Sequence, residues 1–224
     1  DGTLNVLQAA REASVRRIVH TSTSEVYGTA RRVPIDETHP LQGQSPYSAS
    51  KIAADKMAEA FYCSFNLPVA ILRPFNTFGP RQSARAIIPT ILAQCLSGGV
   101  VKLGSLHPTR DLNFVANTVD GYLLAGEVPS AVGQTIHLGS GREISIGDLV
   151  ELLAKLVGCK PRIETDARRI RPEKSEVDRL VADPSRAKEI LGWSPRVSLE
   201  EGLKRTVEWM RANADRYRPG SYVV

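Results

Sequence analysis

Short apolar runs alternate with longer stretches of helical periodicity along most of the chain, and this alternation restricts the possible folds more than any other feature. The spacing predicts a helix over 3–13, with Leu4 and Leu7 on the apolar side beside Val6, Ala9 and Ala13. A strand follows at 17–22, then a polar loop over 28–44 carrying Gly28, Pro34, Pro40 and Gly43. A second helix is expected over 47–65, with Ala53, Met57, Phe61 and Phe65 on one stripe, and a second strand at 69–72. Strand–helix–strand units with short apolar strands argue for a parallel sheet flanked by helices.

Beyond Gly79-Pro80 the pattern changes. Helices are expected around 85–97 and 117–126, and strands at 100–103, 111–115 and 135–138. Ser145 and Asp148 read as the cap of a helix whose Leu149, Leu152, Leu153 and Leu156 form one face. Asp183-Pro184 starts a short helix that Gly192 ends. Ser198-x-x-Glu201 is a capping box for a last helix with Leu199, Leu203, Val207 and Met210 on its apolar side. The tail after Tyr217 reads as irregular.

Composition removes several classes of function. Hydrophobic residues make up 42% and charged residues 24% of the 224, as in ordinary globular chains. No apolar run approaches the ~18–20 residues of a membrane span, and the N-terminus lacks a signal peptide's apolar core. Cys63, Cys95 and Cys159 are widely separated and odd in number, and the four histidines show no metal-ligand spacing. A reduced, cytoplasmic protein without a structural metal is the expectation, with Cys63 and Cys95 packed in helices. The net charge of +5 is concentrated in 160–174, where Lys160, Arg162, Arg168, Arg169, Arg171 and Lys174 face only Glu164, Asp166 and Glu173. Such a patch suits nucleic acid, a small anionic ligand, or solvent. No nucleic-acid-binding motif and no basic–aromatic interleaving accompanies it, so nucleic acid is not expected as a partner.

Tyr47 and Lys51 stand four apart at the start of a helix and project to the same side. A free phenol, with a pKa of about 10, is a poor base at neutral pH. A neighbouring ammonium favours the phenolate, so Tyr-x-x-x-Lys can serve as a general acid/base pair. Tyr27-x-x-x-Arg31 has a similar spacing but falls in a loop, and reads as a decoy. The strand at 17–22 ends in Ser22-Thr23-Ser24-Glu25-Val26-Tyr27-Gly28, and the next ends in Arg73-Pro74-Phe75-Asn76. Polar residues just past the carboxyl ends of parallel strands lie where open α/β sheets bind ligands.

The strings GTLNVLQAA, TSTSEVYG, PYSASK, LRPFNTFGPRQ, TRDLNFV, LGSG and ADPSRAKEILGW, in this order along essentially the whole chain, resemble the extended short-chain dehydrogenase/reductases that act on nucleotide sugars. Within them the chain is most similar to the nucleotide-sugar 4,6-dehydratases, closest to those forming N-acetylhexosamine products for legionaminic-type acids. The resemblance implies the C-terminal half of a Rossmann-like, doubly wound parallel sheet (1–80 and 117–140) joined to a smaller α/β substrate-binding domain (81–116 and 141–224). It implies NAD as cofactor, with NADP as the alternative, a nucleotide-diphosphate sugar as substrate, and a homodimer through the helices at 3–13 and 47–65. Tyr47, Lys51 and Pro74 would contact the cofactor. Tyr47 would take the proton of the sugar 4-hydroxyl, Lys51 would depress its pKa, Thr23 would bond the 4-oxygen, and Glu25 would remove the C5 proton so that the 6-hydroxyl leaves as water. Ser24, Asn76, Arg81, Arg110 and Arg171 would bind substrate, with Glu176 a further candidate. Arg110 could instead pair with the adjacent Asp111. His137 stands where relatives often carry Asn.

Glu25 separates the possible reactions, because a sugar 4-epimerase needs no C5 base. The same TSEVYG string also fits UDP-glucuronate decarboxylases, and a non-catalytic nucleotide-sugar-binding module is the alternative from another class. The Gly-rich pyrophosphate turn of dinucleotide-binding folds is absent, and so is the acidic ribose-binding residue that follows it. In the family these come before the helix with which this chain opens. Together with a first residue that is not Met, this gives the expectation of a fragment lacking roughly 100 preceding residues, the size of a first dinucleotide-binding half. By itself such a chain is expected to bind NAD poorly and to be inactive.

Overall fold

The structure is a computed structural model and describes residues 1–98, 100–170 and 177–217. Its elements are α1 (Gly2–Glu12), β1 (Ile18–Thr21), α2 (Pro46–Phe65), β2 (Val69–Pro74), β3 (Asn76–Phe78), α3 (Ile87–Leu96), β4 (Val100–Leu103), β5 (Thr109–Phe114), α4 (Val115–Glu127), β6 (Thr135–Leu138), β7 (Glu143–Ser145), α5 (Ile146–Val157), β8 (Arg162–Thr165), β9 (Arg179–Leu180), α6 (Ser185–Leu191) and α7 (Leu199–Ala212).

β1, β2 and β6 form a parallel sheet in that order, with Ile18 opposite Val69 and Ile71 opposite Thr135. β2 is its central strand. Its side chains alternate between faces, as the pleat requires. Val69 and Ile71 pack with Leu7 of α1 and Ala58 and Phe61 of α2, while Ala70 and Leu72 pack with Ala125 of α4, Leu138, and Leu191 of α6. A strand covered by helices on both faces is apolar throughout, which is why 69–72 reads as a continuous run.

A second sheet is built around β5, which pairs with β3 and β9 in parallel and with β7 antiparallel. β4 and β8 form a separate parallel pair. Their core is the largest among the described residues and holds Ile88, Ile91 and Leu92 of α3, Leu149 and Leu153 of α5, and Leu203, Val207 and Met210 of α7. The Ser145 Oγ accepts from the Asp148 amide at 3.0 Å, and Ser198 Oγ accepts from the Glu201 amide at 3.2 Å, so both expected helix starts are capped. Gly192 ends α6 in the left-handed conformation, φ 65°.

Several sequence expectations need correction. The α2 stripe is not buried along its length. Phe61 is 7% exposed, but Met57 and Phe65 are 37% and 44% exposed, and the buried face runs through Ser48, Asp55, Ala58 and Phe61. A polar contact to Asp55, rather than apolar periodicity, decides which side of α2 turns inward. Cys63 lies on the outer side of α2 and is exposed; Cys95 is buried. The short strands β3, β7, β8 and β9 were not legible. They are two to four residues long and take their conformation from their partners across the sheet. α6, within 141–224, packs on the three-stranded sheet, and β3, within 1–80, joins β5.

Candidate active site

The turn after β1 is built by its own residues. Thr23 is extended, and its Oγ1 accepts from the Glu25 amide at 3.2 Å, capping one turn of 3₁₀ helix over Ser24–Tyr27. Gly28 closes the turn at φ 58°, and a Cβ there would lie 2.8 Å from the Gln42 carbonyl oxygen. Within the turn Ser24, Val26 and Tyr27 face inward, Thr23 is half-buried and Glu25 is exposed.

α2 starts beside this turn. Ser45 caps it reciprocally with Ser48, and Pro46 occupies the first helical position. Tyr47, in the first turn, is 53% exposed. Lys51 Nζ donates to the Thr21 carbonyl at 2.5 Å, tying the helix to the carboxyl end of β1 two residues before Thr23. Thr23, Glu25, Tyr47 and Lys51 therefore gather at one edge of the parallel sheet. Pro74, the last residue of β2, lies at the same edge, in register with Leu138. Tyr122 of α4 was not identified from sequence, where it is one apolar position among several. Burial raises its phenol pKa, a hydrogen bond with Thr21 opposes this, and nearby Tyr47 adds to the rise.

Beneath this edge lies a buried polar network. Asp55 and Arg73 are 0% and 3% exposed. Asp55 Oδ2 accepts from Arg73 Nε and Nη2 at 3.0 and 2.9 Å and from Ser22 Oγ at 2.8 Å. His20 Nε2 stands 3.2 Å from the other carboxylate oxygen. Burial works to raise the Asp55 pKa, but His20, Arg73 and Ser22 together hold it below the usual range. Arg73 Nη1 donates to the Tyr27 hydroxyl at 2.7 Å, which lies 2.5 Å from His137 Nε2. Burial pushes the Tyr27 phenol up to about 12, so it keeps its proton. With Arg73 donating to the oxygen, that proton goes to Nε2, which places the imidazole's own hydrogen on Nδ1. Burial, reinforced by the Arg73 charge, lowers the His137 pKa to about 3 and keeps the ring neutral. The backbone amide of His137 donates to Glu37 Oε1 at 2.9 Å. Tyr27 thus belongs to an interior network and forms no exposed pair with Arg31, whose amide donates to His39 Nε2.

A separate cavity of about 400 Å³ opens between β3, α3 and β5, lined by Asn76, Gln82, Arg85, Arg110 and Arg169 among others. It gathers two of the expected substrate residues, Asn76 and Arg110. Three guanidinium groups and two amides suit an anionic ligand such as a diphosphate. Among the described residues no donor reaches the buried Asn76 Oδ1 or Gln82 Oε1. Arg110 Nη1 donates to the Thr109 and Val177 carbonyls at 2.8 and 2.7 Å. It does not take Asp111, whose carboxylate accepts instead from Ser140 N, Ser140 Oγ, Gly141 N and Ala182 N. Burial nonetheless raises the Asp111 pKa against those four bonds. Arg81 lies outside the lining, exposed in a left-handed turn at φ 67°, and Ser24 is buried below the Thr23 turn. Arg171 and Glu176 lie outside the described residues. Gln82, Arg85 and Arg169 are the residues that sequence reasoning did not assign. Arg169 arrives because the Asp166 turn brings its backbone against Gly104, where a Cβ would lie 2.5 Å from the Arg169 carbonyl oxygen. Asp166 also binds Arg168 at 3.0 Å, so part of the basic patch is neutralised within its own segment. That pairing lowers the Asp166 pKa to about 2.

Among the described residues no helix is long and apolar enough to cross a membrane, and no group of three acidic, histidine or cysteine side chains could hold a metal ion. The sequence model of the family described as GDP-mannose 4,6 dehydratase matches residues 1–206. A UDP-glucose 4-epimerase of Mycolicibacterium smegmatis is 35% identical over 94% of this chain and 67% of that protein. A dTDP-glucose 4,6-dehydratase of Actinoplanes is 34% identical over 95% of this chain and 65% of that protein. Among solved structures, a dTDP-glucose 4,6-dehydratase double mutant from Streptomyces venezuelae with NAD bound superposes at a TM-score of 0.87, with 32% identity over 96% of this chain and 66% of that one. The chain thus spans about two thirds of the length of the relatives it matches.

Proposed function

Because the chain belongs to the GDP-mannose 4,6-dehydratase family, among the extended short-chain dehydrogenase/reductases, we propose that it carries the catalytic and substrate-binding residues of a nucleotide-sugar 4,6-dehydratase. The observation that carries this reading is the exposed Glu25 carboxylate, two residues from Thr23 and on the same sheet edge as Tyr47 and Lys51. The donor set suits NAD, the cofactor bound in several solved relatives. Lys51 and Tyr47 offer an ammonium and a phenol for the nicotinamide ribose, and Pro74 ends β2 beside them without an amide hydrogen. NAD, when bound, accepts a hydride from the sugar and later returns it.

The residues then divide the work. Tyr47 takes the proton of the sugar 4-hydroxyl, and the Lys51 ammonium favours the phenolate that does so. Thr23 donates to the 4-oxygen. The resulting ketone acidifies the adjacent C5 hydrogen. Glu25 removes that proton and passes it to the C6 hydroxyl, whose C–O bond breaks to release water as the C5–C6 double bond forms; the returned hydride then adds to C6 with a solvent-derived proton at C5. Asn76, Arg85, Arg110 and Arg169 hold the diphosphate in the cavity, with Gln82 beside it. Arg81, exposed outside the cavity lining, and Ser24, buried in the turn, remain candidates for substrate contact only if the substrate reaches beyond that lining. An N-acetylhexosamine is the sugar we assign. The same reading assigns a homodimer through α1 and α2, supported by the exposure of Val6, Met57 and Phe65.

The test is the complete gene product with NAD and a panel of UDP-, GDP- and dTDP-sugars. A product lighter by one water, with solvent deuterium at C5, supports the dehydratase. A second reading, 4-epimerase, is favoured by the relatives bearing that name; it gives an isomer of unchanged mass and no C5 label. Loss of carbon dioxide from UDP-glucuronate points to a decarboxylase. Glu25→Gln is expected to abolish C5 labelling and water loss, and unchanged turnover refutes its role.

A further inference from the structure

The Ser22–Tyr27 segment is fastened at both ends to one buried ion pair. Ser22 Oγ donates to Asp55 Oδ2 at 2.8 Å, and the Tyr27 hydroxyl accepts from Arg73 Nη1 at 2.7 Å. Arg73 binds Asp55 through two nitrogens, so the fork is fixed in a plane and both tethers share its geometry. Thr23 and Glu25 lie between the two attachment points. Asp55 stands at i+8 from Tyr47 and i+4 from Lys51 on α2, so all three share one side of that helix. His137 and Glu37 complete the tether from β6 and the loop before α2. Nothing in this cluster is aimed at the cavity. It costs desolvation of two charges, which an apolar core of the same shape would avoid, so stability alone is a poor account of it.

We propose that Asp55, Arg73 and Tyr27 form a positioning unit that sets the Thr23–Glu25 turn against the Tyr47–Lys51 helix. The inference rests on the dehydratase reading for its kinetic consequence but not for its structural one. Two proton-handling groups on different elements, Tyr47 on α2 and Glu25 on the turn, must reach adjacent carbons of one sugar. A rigid fork joining the two elements fixes that separation, and misplacement of about 1 Å typically costs on the order of 100-fold in rate. The unit touches neither substrate nor cofactor and acts only through the turn.

Tyr27→Phe and Ser22→Ala each cut one tether and leave Asp55–Arg73 in place. In the complete gene product, amide hydrogen exchange is expected to accelerate in residues 22–28 while residues 47–58 of α2 keep their protection. The kcat for dehydration should fall about 10- to 100-fold with KM changed less than about 2-fold. The inference is overturned if exchange in 22–28 is unchanged, or if it accelerates while kcat and KM stay at their original values. If the unaltered protein turns over no nucleotide sugar, the functional reading fails, and the exchange measurement alone still decides whether the pair holds the turn.

Discussion

At the residue scale, buried polar groups carry sharp and separable consequences. His137 has no exposed surface and sits beside Arg73, with its pKa lowered to about 3 from 6.5. The unfolded chain therefore binds a proton that the folded chain refuses between those values. Stability is full above about pH 6.5 and is lost as the pH falls toward 3, with a slope near 1.4 kcal/mol per pH unit for this one group. Glu37, raised by burial, works in the opposite direction in the acid part of that window. A His137→Asn variant should flatten the slope, and chemical denaturation between pH 7 and 4 measures the difference. Asp111 gathers four donors from two segments, Ser140-Gly141 and Ala182, so Asp111→Ala unties these segments from each other and leaves the buried Ala182 amide without its acceptor. A loss of about 3 kcal/mol or more is expected, read from the urea midpoint.

At the element scale, helix starts and close packing set the cost of change. Ser145 is the only described side chain that caps the first turn of α5, so Ser145→Ala should cost about 1 kcal/mol of stability. Gly202 of α7 is a different case. Its backbone is helical, yet a Cβ would lie 2.7 Å from the Phe114 ring and 2.9 Å from Phe78. Gly202→Ala gains helix propensity but overpacks the core, and a net loss of about 1–3 kcal/mol is expected by thermal or urea unfolding. The helices and their caps were legible because 3.6-residue periodicity and Ser-x-x-Glu/Asp signals are local. The strands β7, β8 and β9 were not, since their pairing partners lie 32 to 70 residues away in sequence.

At the scale of the whole molecule, the exposed apolar side chains on α1 and α2 invite a partner. Val6, Met57 and Phe65 are 63%, 37% and 44% exposed, while the opposite side of α2 turns in toward β2. If the proposed homodimer uses this face, Met57→Glu should shift the protein to monomer by light scattering without altering the cavity between β3, α3 and β5. Unchanged mass would remove α2 from the interface.

The four residues proposed for catalysis were picked out in the chain because each lies in a local signal: Tyr47 and Lys51 four apart on a helix, Thr23 and Glu25 just past a strand. Asn76 and Arg110 were named from the resemblance, but their meeting with Gln82, Arg85 and Arg169 in one cavity depends on strand β3 crossing to β5 and on Gly104 admitting the Arg169 backbone. The difference between Tyr27 and Tyr47 was likewise decided by the tertiary structure. Sequence gave both a basic residue four positions on. Packing buries Tyr27 over Arg73 and leaves Tyr47 half in solvent, because the helix face that turns inward is chosen by Asp55, and Asp55 finds its partner only across the sheet. Periodicity determines which elements form; which buried charges meet is fixed only when distant strands come into register.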